Sequence, residues 1–285
     1  MSRRRLDAEL VRRGLADSRT SAQHMIAEGR VTASGVLADK AARLVLPGDP
    51  IVVAIDDGPT YVGRGGHKMA GALDNFGIDP SGWRCVDAGS STGGFTDCLL
   101  QRGATSVIAI DVGRHQLHER LRADRRVTVR EQTDIRNVTP ELLGGPVPLL
   151  VADLSFISVS AVASSLVSLV SADGGRIVVL VKPQFEAGRT EVSRGRGVIR
   201  DPEIWRRTLT EAIDALNDAG ASIMGAMVSP IRGAEGNVEF LVDGVVLSPA
   251  VTTGSLTDGL TGRRSSAGLA NSVVEELVET EHGVR

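Results

Sequence analysis

Val86-Asp87-Ala88-Gly89-Ser90-Ser91-Thr92-Gly93-Gly94-Phe95 is the stretch on which the reading of this 285-residue chain turns. A short apolar run ends in a carboxylate and breaks into glycines and small hydroxyls. An amphipathic segment over 95–102 follows and stops at Gly103. Strand, tight turn and helix in that order let the backbone approach a ligand that faces the helix N-terminus. The glycines stand at 89, 93 and 94, which is not the G-x-G-x-x-G of a dinucleotide site, and no Gly-Lys-Ser/Thr follows as a phosphate loop requires. Such a loop can also be no more than a tight turn, so the chain around it has to decide.

Working outward, strands are expected around Val86 and at 107–111, 127–129, 149–153, 177–181, 223–228 and 238–241. Between them, helical patterns fall at 95–101, 117–121, 140–143, 159–170 and 204–216, and another over 67–76 precedes the first strand. Continuous apolar strands with interposed helices predict a seven-stranded, mostly parallel sheet covered on both faces, an α/β fold of Rossmann-like type. Residues 1–57 read as a separate small α+β unit. Leu6, Leu10, Val11 and Leu15 have helical spacing, Ser18 caps a second helix with Ala22, Met25 and Ile26 on its apolar face, and hairpin signals follow. Residues 58–66 read as a linker, 67–247 as the main domain, and 248–285 as a mobile Ser/Thr/Gly-rich tail with a frayed helix over 271–278.

Hydrophobic content of 42%, charged content of 24% and a net charge of −3 describe an ordinary soluble chain and exclude a uniformly basic one. Two cysteines, Cys85 and Cys98, suit a reducing cytoplasm, and no zinc-type cluster is present, so no metal is expected. The longest apolar run is far short of the ~20 residues needed to span a bilayer. A cytoplasmic protein is expected, as a monomer or weak dimer. Only Lys40, Lys68 and Lys182 among the 32 basic residues are lysines. Lysine alone of the two can lose its proton near neutral pH, so retention for function competes with chance survival of codon bias. Lys68 stands in the first turn of its helix, where the dipole disfavours a cation.

Ligands of open α/β sheets bind beyond the C-terminal ends of the strands. Asp87, Asp111, Asp134 and Asp153 all fall at such ends. Asp111 is placed to accept both ribose hydroxyls of an adenine nucleoside, and Asp134 to accept the adenine amino group. In the first unit, seven arginines face four acids within residues 1–30, a local excess of +3. A solvated helix face would account for that excess as well as an RNA surface does.

Two resemblances bear on these alternatives. Arg5-Leu6-Asp7, Gly14-Leu15, Ser18-Arg19, Gly29-Arg30-Val31, Gly35, Lys40 and Gly48-Asp49 resemble the RNA-binding module first seen in a small-subunit ribosomal protein. This implies RNA-phosphate contacts by Arg3, Arg4, Arg5, Arg12, Arg13, Arg19 and Arg30, to which Arg64 of the linker is added. Residues 84–242 resemble the seven-stranded S-adenosylmethionine-dependent methyltransferases, above all the FtsJ-like ribose 2′-O-methyltransferases. With Asp87 to Thr96, Ala152-Asp153-Leu154-Ser155-Phe156, Lys182-Pro183-Gln184-Phe185-Glu186 and Gly236-Asn237-Val238-Glu239, the chain resembles the TlyA family of haemolysin-named rRNA methyltransferases. That resemblance implies 2′-O-methylation of cytidines in small- and large-subunit ribosomal RNA and an effect on capreomycin and viomycin susceptibility. It implies S-adenosyl-L-methionine as cofactor, held by Asp87, Gly89, Ser90, Ser91, Thr92, Gly93, Gly94, Phe95, Asp111, Val112, Asp134, Ile135 and Asp153. The ribosome or its subunits would be the partner.

The FtsJ-like resemblance also carries a Lys-Asp-Lys-Glu tetrad, and Lys68, Asp153, Lys182 and Glu239 fill its four positions. Lys182 is expected as general base, with Asp153 and Glu239 orienting the two ammonium groups. Asp153-Leu154-Ser155-Phe156 lacks the prolines of Asn/Asp-Pro-Pro-Tyr, which argues against methylation of a base nitrogen. Cys85 and Cys98 lie in the cofactor half, wrongly placed for the nucleophile that C5-pyrimidine methylation needs. The alternatives are a membrane-lytic protein and a ribosome-binding protein without activity.

Overall fold

The N-terminal unit gathers a small core around two short helices. The computed structural model describes residues 3–16, 18–27, 30–38, 40–53, 61–195, 197–233, 235–248 and 265–282, in two units, Met1–Thr60 and Tyr61–Arg285. The first unit runs β1 (Arg4–Arg5), α1 (Leu6–Arg12), α2 (Arg19–Ala27), β2 (Val31–Ala33), β3 (Val36–Leu37), β4 (Leu44–Val45) and β5 (Ile51–Val53). Leu6 and Leu10 of α1, Ala22 and Ile26 of α2, and Val31, Ala33 and Val45 of the strands close over one another. Ser18 accepts the Ser21 N–H at 3.0 Å and so caps α2. In the sheet, β2 is central and pairs antiparallel with β3 and β5, while β1 pairs with β4.

Asp7 and Glu9 are fully buried in this unit. Arg5 and Arg19 bond Asp7 at 2.9 and 3.1 Å, and Arg12 and Arg13 bond Glu9 at 2.6 and 2.9 Å, with Arg4 at 3.8 Å. The guanidiniums hold both carboxyls below the usual range, Glu9 at about 2. Arg13 also donates to the carbonyls of Asp49 and Pro47, at 2.8 and 2.9 Å, so its side chain is structural. Arg5, Arg12 and Arg19 keep about half of their surface in solvent (46%, 46% and 57%), and Arg3 is exposed.

The second unit runs α3 (Gly65–Phe76), β6 (Arg84–Ala88), α4 (Gly94–Gln101), β7 (Ser106–Ile110), α5 (Glu119–Arg122), β8 (Val127–Arg130), α6 (Pro140–Leu143), β9 (Leu149–Ala152) and α7 (Ala163–Ser168). It continues with β10 (Asp173–Val181), α8 (Pro183–Glu186), α9 (Arg189–Arg194), α10 (Pro202–Asp218), β11 (Ala221–Val228), β12 (Phe240–Leu247) and α11 (Ser266–His282). The seven strands stand in the order β11-β12-β10-β9-β6-β7-β8. All neighbours are parallel except β12, which runs antiparallel to both β10 and β11. The order reverses between β6 and β9, where Val86 faces Leu150. There the crevice at the carboxyl ends opens. Strands buried on both faces explain the unbroken apolar runs: Leu149 and Val151 pack into one cluster, Leu150 and Ala152 into the other.

Three expectations change. The linker expected over 58–66 gives up its last six residues to the second unit: Tyr61 and Val62 pack on its core, Asp97 accepts the Val62 N–H at 2.8 Å, and α3 begins at Gly65. Residues 54–60 lie outside those described. The expected helix over 159–170 is broken by Val162, with a 3-10 turn at Val159–Ala161 and α7 after it. The largest change is at the C-terminus. The tail expected to be mobile carries α11, seventeen residues long, whose Ala270, Val273 and Val274 join the main core. Residues 249–264 lie outside those described.

Candidate active site

Gly89 follows β6 directly at φ +83°, and a Cβ there would lie 2.4 Å from the Asp153 carbonyl oxygen. Gly93 has φ +100°, and its missing Cβ would lie 2.2 Å from Leu121. The loop therefore needs glycine both for its left-handed turns and for close approach. Asp87 is fully buried just before it and accepts the N–H and hydroxyl of Thr96, at 2.9 and 2.6 Å, which locks the start of α4. Burial pushes Asp87 up to about 7 against the pull of Thr96, with Asp153 and Asp111 adding to the rise, and its Oδ1 is buried with no hydrogen-bond partner.

A cleft of about 470 Å³ opens at the carboxyl ends of β6, β7 and β9. Of the expected cofactor contacts, Gly89, Ser91, Asp111, Val112, Asp134, Ile135 and Asp153 line it. Asp87, Ser90, Thr92, Gly93, Gly94 and Phe95 do not, and instead build the loop and its packing. Asp111 takes the N–H groups of Ser91 at 2.8 Å and Gly113 at 2.6 Å, so its carboxylate is held at the rim with lone pairs to spare. Asp134 is engaged by Arg136, at 2.5 Å through Nη2, and is pulled down to about 2 by it. Arg136, Gln116 and Ser155 also line the cleft and were not expected there. Gln116 belongs to a loop fixed by Glu131, which accepts the N–H groups of His115, Gln116 and Leu117 at 2.9, 3.0 and 3.4 Å.

The four tetrad positions form two ion pairs. Lys68 projects from the buried side of α3, beside Met69 and Leu73, and bonds Glu239 directly before β12. Exposures of 8% for Lys68 and 3% for Glu239 make this a buried pair. Lys182 follows β10 and lies 2.5 Å from Asp153 Oδ1, while donating to the Ser155 hydroxyl at 3.0 Å. Asp153 and Ser155 line the cleft as well as touching Lys182, so the lysine sits at the cleft wall. Phe156 beside them has φ +65° and is 90% exposed, and its ring centroid is 5.0 Å from that of Phe185. A bulky residue in the left-handed region costs about 1–2 kcal/mol. Such strain, with a large apolar ring in solvent, makes Phe156 a candidate functional position. Arg64 caps α3 and donates to the Arg232 carbonyl at 2.6 Å, with its Nε buried and unpartnered.

A family profile described as FtsJ-like methyltransferase matches residues 61–244, and one described as S4 domain matches residues 4–51. The chain is 48% identical to the 16S/23S rRNA (cytidine-2′-O)-methyltransferase TlyA of Mycobacterium tuberculosis, over 85% of this chain and 90% of that one. The chain belongs to the TlyA group of FtsJ-like methyltransferases. Another relative, named Hemolysin A, of Brachyspira hyodysenteriae, is 38% identical over 85% of this chain and all of that one. A solved structure, a putative hemolysin from Streptococcus thermophilus, matches over 99% of both chains at 33% identity with a TM-score of 0.69. Despite the haemolysin names in the TlyA group, no helix among the described residues is long and apolar enough to cross a membrane. Among the same residues, no group of three or more His, Cys, Asp or Glu could hold a metal ion.

Proposed function

We propose that this chain methylates the ribose 2′-hydroxyl of cytidines in small- and large-subunit ribosomal RNA, with S-adenosyl-L-methionine as donor. One observation carries the reading. The Lys182–Asp153 pair stands at the wall of a nucleoside-sized cleft at the switch point of the sheet, and the Lys68–Glu239 pair lies at the neighbouring strand end, where Val181 of β10 faces Phe240 of β12. The cleft suits the donor: Asp111 has spare lone pairs for ribose hydroxyls, and Gly89 leaves space that a side chain would fill. Bound there, the donor supplies a sulfonium methyl group open to in-line attack.

The remaining work belongs to the chain. A ribose hydroxyl is a poor nucleophile at neutral pH, and Lys182 in its neutral form takes the proton as the oxygen attacks. Asp153 beside it stabilises the ammonium so formed. Lys68 places a second cation at the site, and Glu239 supplies the counter-charge that lets that cation stay buried. Phe156 offers a flat face on which the target base stacks once it leaves its helix. Positioning of oxygen, methyl and base in line carries much of the rate. In the S4-type unit, Arg3, Arg4, Arg5, Arg12 and Arg19 present their exposed edges to phosphates, whereas Arg13 acts as scaffold. A relative of the TlyA group named for 16S and 23S rRNA supports both subunits as substrates, and susceptibility to capreomycin and viomycin follows from such a modification.

The test is transfer of tritiated methyl to ribosomal subunits from a strain that lacks the modification. Label in an alkali-resistant dinucleotide with cytidine on its 5′ side is expected, and Lys182→Ala is expected to abolish it while donor binding persists by calorimetry. Label released with a free base would refute 2′-O transfer.

A further inference from the structure

Lys182 and Glu186 are joined across one turn, the Glu186 N–H donating to the Lys182 carbonyl at 3.3 Å. Both residues line a cavity of about 10 Å³, roughly the room of one water molecule. The other walls are aliphatic and aromatic side chains from β10, α8 and the 154–159 segment. Glu186 also holds that segment in place, since its two oxygens accept the Val159 N–H at 3.0 and 3.2 Å. No role assigned so far uses this carboxyl.

Every turnover takes one proton from a hydroxyl, and the reading of Lys182 as base requires a neutral amine at the start. Lys182 is only 9% exposed, so the proton it collects needs a route out. We propose that Glu186 is that route, a positioning residue that draws the proton off the Lys182 ammonium and passes it to solvent. The proposal rests on Lys182 being the base. In the first step an N–H bond of the ammonium breaks, an O–H bond forms on Glu186, and the electron pair stays on Nζ. That pair next takes the 2′-hydroxyl proton as the new O–CH3 bond forms and the sulfonium S–CH3 bond breaks. Glu186 then releases its proton to water, so the cycle frees one proton for each methyl transferred.

The charge environment of Glu186 suits the task. Burial pushes the carboxyl up to about 7, opposed by the Val159 N–H and assisted by Glu211 of α10. Glu211 itself lies 3.7 Å from Arg207. The 154–159 segment brings a main-chain N–H and no ionisable side chain, and on its own segment the ionisable residue that shares the cavity is Lys182. A carboxyl that ionises near neutrality is matched to a proton that must move both on and off.

The experiment measures kcat against pH for methyl transfer to undermethylated subunits with wild type, Glu186→Gln, Glu186→Asp and Lys182→Ala. Wild type is expected to lose kcat as pH falls through about 7, where Glu186 can no longer accept. Glutamine keeps a carbonyl for the Val159 N–H but cannot take a proton. Its kcat is expected to fall at least about tenfold, without the acid limb, while KM for the donor and the melting temperature stay near wild type. Aspartate is expected to recover part of kcat together with the limb, and it carries the test if the glutamine variant folds poorly. A glutamine variant with wild-type kcat and wild-type limb overturns the proposal, as does an aspartate variant no better than glutamine. Lys182→Ala separates the two readings. Full activity there removes the base and the relay together, whereas an inactive Lys182→Ala beside a normal Glu186→Gln removes the relay alone.

Discussion

Gly89→Ala tests whether the loop and the catalytic pair are one rigid construction. The added methyl would lie 2.4 Å from the Asp153 carbonyl oxygen, 2.9 Å from its carbon and 3.0 Å from Leu154 Cδ2. Since real Cβ contacts stop near 3.0 Å, the Asp153 backbone has to retreat by about 0.6 Å. The Asp153 amide is itself held by the Ala88 carbonyl at 2.9 Å, so the retreat strains the β6–β9 junction rather than a free loop. Alanine at φ +83° adds about 1–2 kcal/mol of backbone strain. With the contact included, a loss of about 2–4 kcal/mol in stability is expected. The effect on turnover is larger than the effect on folding. Asp153 lies 2.5 Å from Lys182, and a misplacement approaching 1 Å at a reacting group costs on the order of 100-fold in rate. Gly77→Ala serves as control, because Gly77 has φ +61° but no atom within 4 Å of its missing Cβ. It carries the backbone cost alone, about 1 kcal/mol, with kcat unchanged. Methyl-transfer rates and urea unfolding of both variants decide the matter. A Gly89→Ala enzyme with kcat within threefold of wild type would show that the loop and Asp153 are not mechanically coupled.

Three further outcomes follow from the site. Lys68→Ala strands Glu239 without a counter-charge in a buried place, so a loss of roughly 3 kcal/mol is expected. Adding Glu239→Gln should return part of that stability in urea titrations but none of the activity. Asp87 is raised from 3.8 to about 7, so between those values the folded chain holds a proton that the unfolded chain has lost. Its contribution therefore worsens as pH climbs from about 4 to 7, and Asp87→Asn should flatten that part of the stability–pH curve. Phe156→Ala should leave the melting temperature unchanged, because the ring is 90% exposed. It should lower kcat/KM for the RNA about 10- to 100-fold, the equivalent of about 1–3 kcal/mol of base stacking.

Most of the sheet was legible because its strands are buried on both faces and read as apolar runs closed by a carboxylate. Lys68 and Glu239 stand 171 residues apart, so no local spacing could show that they touch. Their pairing came from resemblance. The two-arginine bond of Glu9 and the capture of Asp134 by Arg136 were equally invisible, since a sequence shows charges but not which of them have settled on each other. The C-terminal helix was missed for a different reason. Ala270, Val273, Val274 and Leu277 have the 0, 3, 4, 7 spacing of a packing face, and the first three are buried against α10 and β11. The Ser/Thr/Gly-rich stretch before them drew the whole terminus into one compositional class. Glu186 shows no role in the sequence, because a carboxylate that shares a small cavity with a nearby lysine looks there like an ordinary helix acid.

The carboxylates at the heart of the N-terminal unit have a thermodynamic consequence for RNA. Asp7 and Glu9 act as built-in counterions, so the arginines around them carry fewer condensed solution ions than an arginine count suggests. Association with a polyanion gains entropy from ions set free, and ions never bound cannot be released. On the proposed reading, grip on the ribosome depends less on the saltiness of the cell than seven arginines would predict. It depends more on whether each guanidinium already points where a phosphate will be.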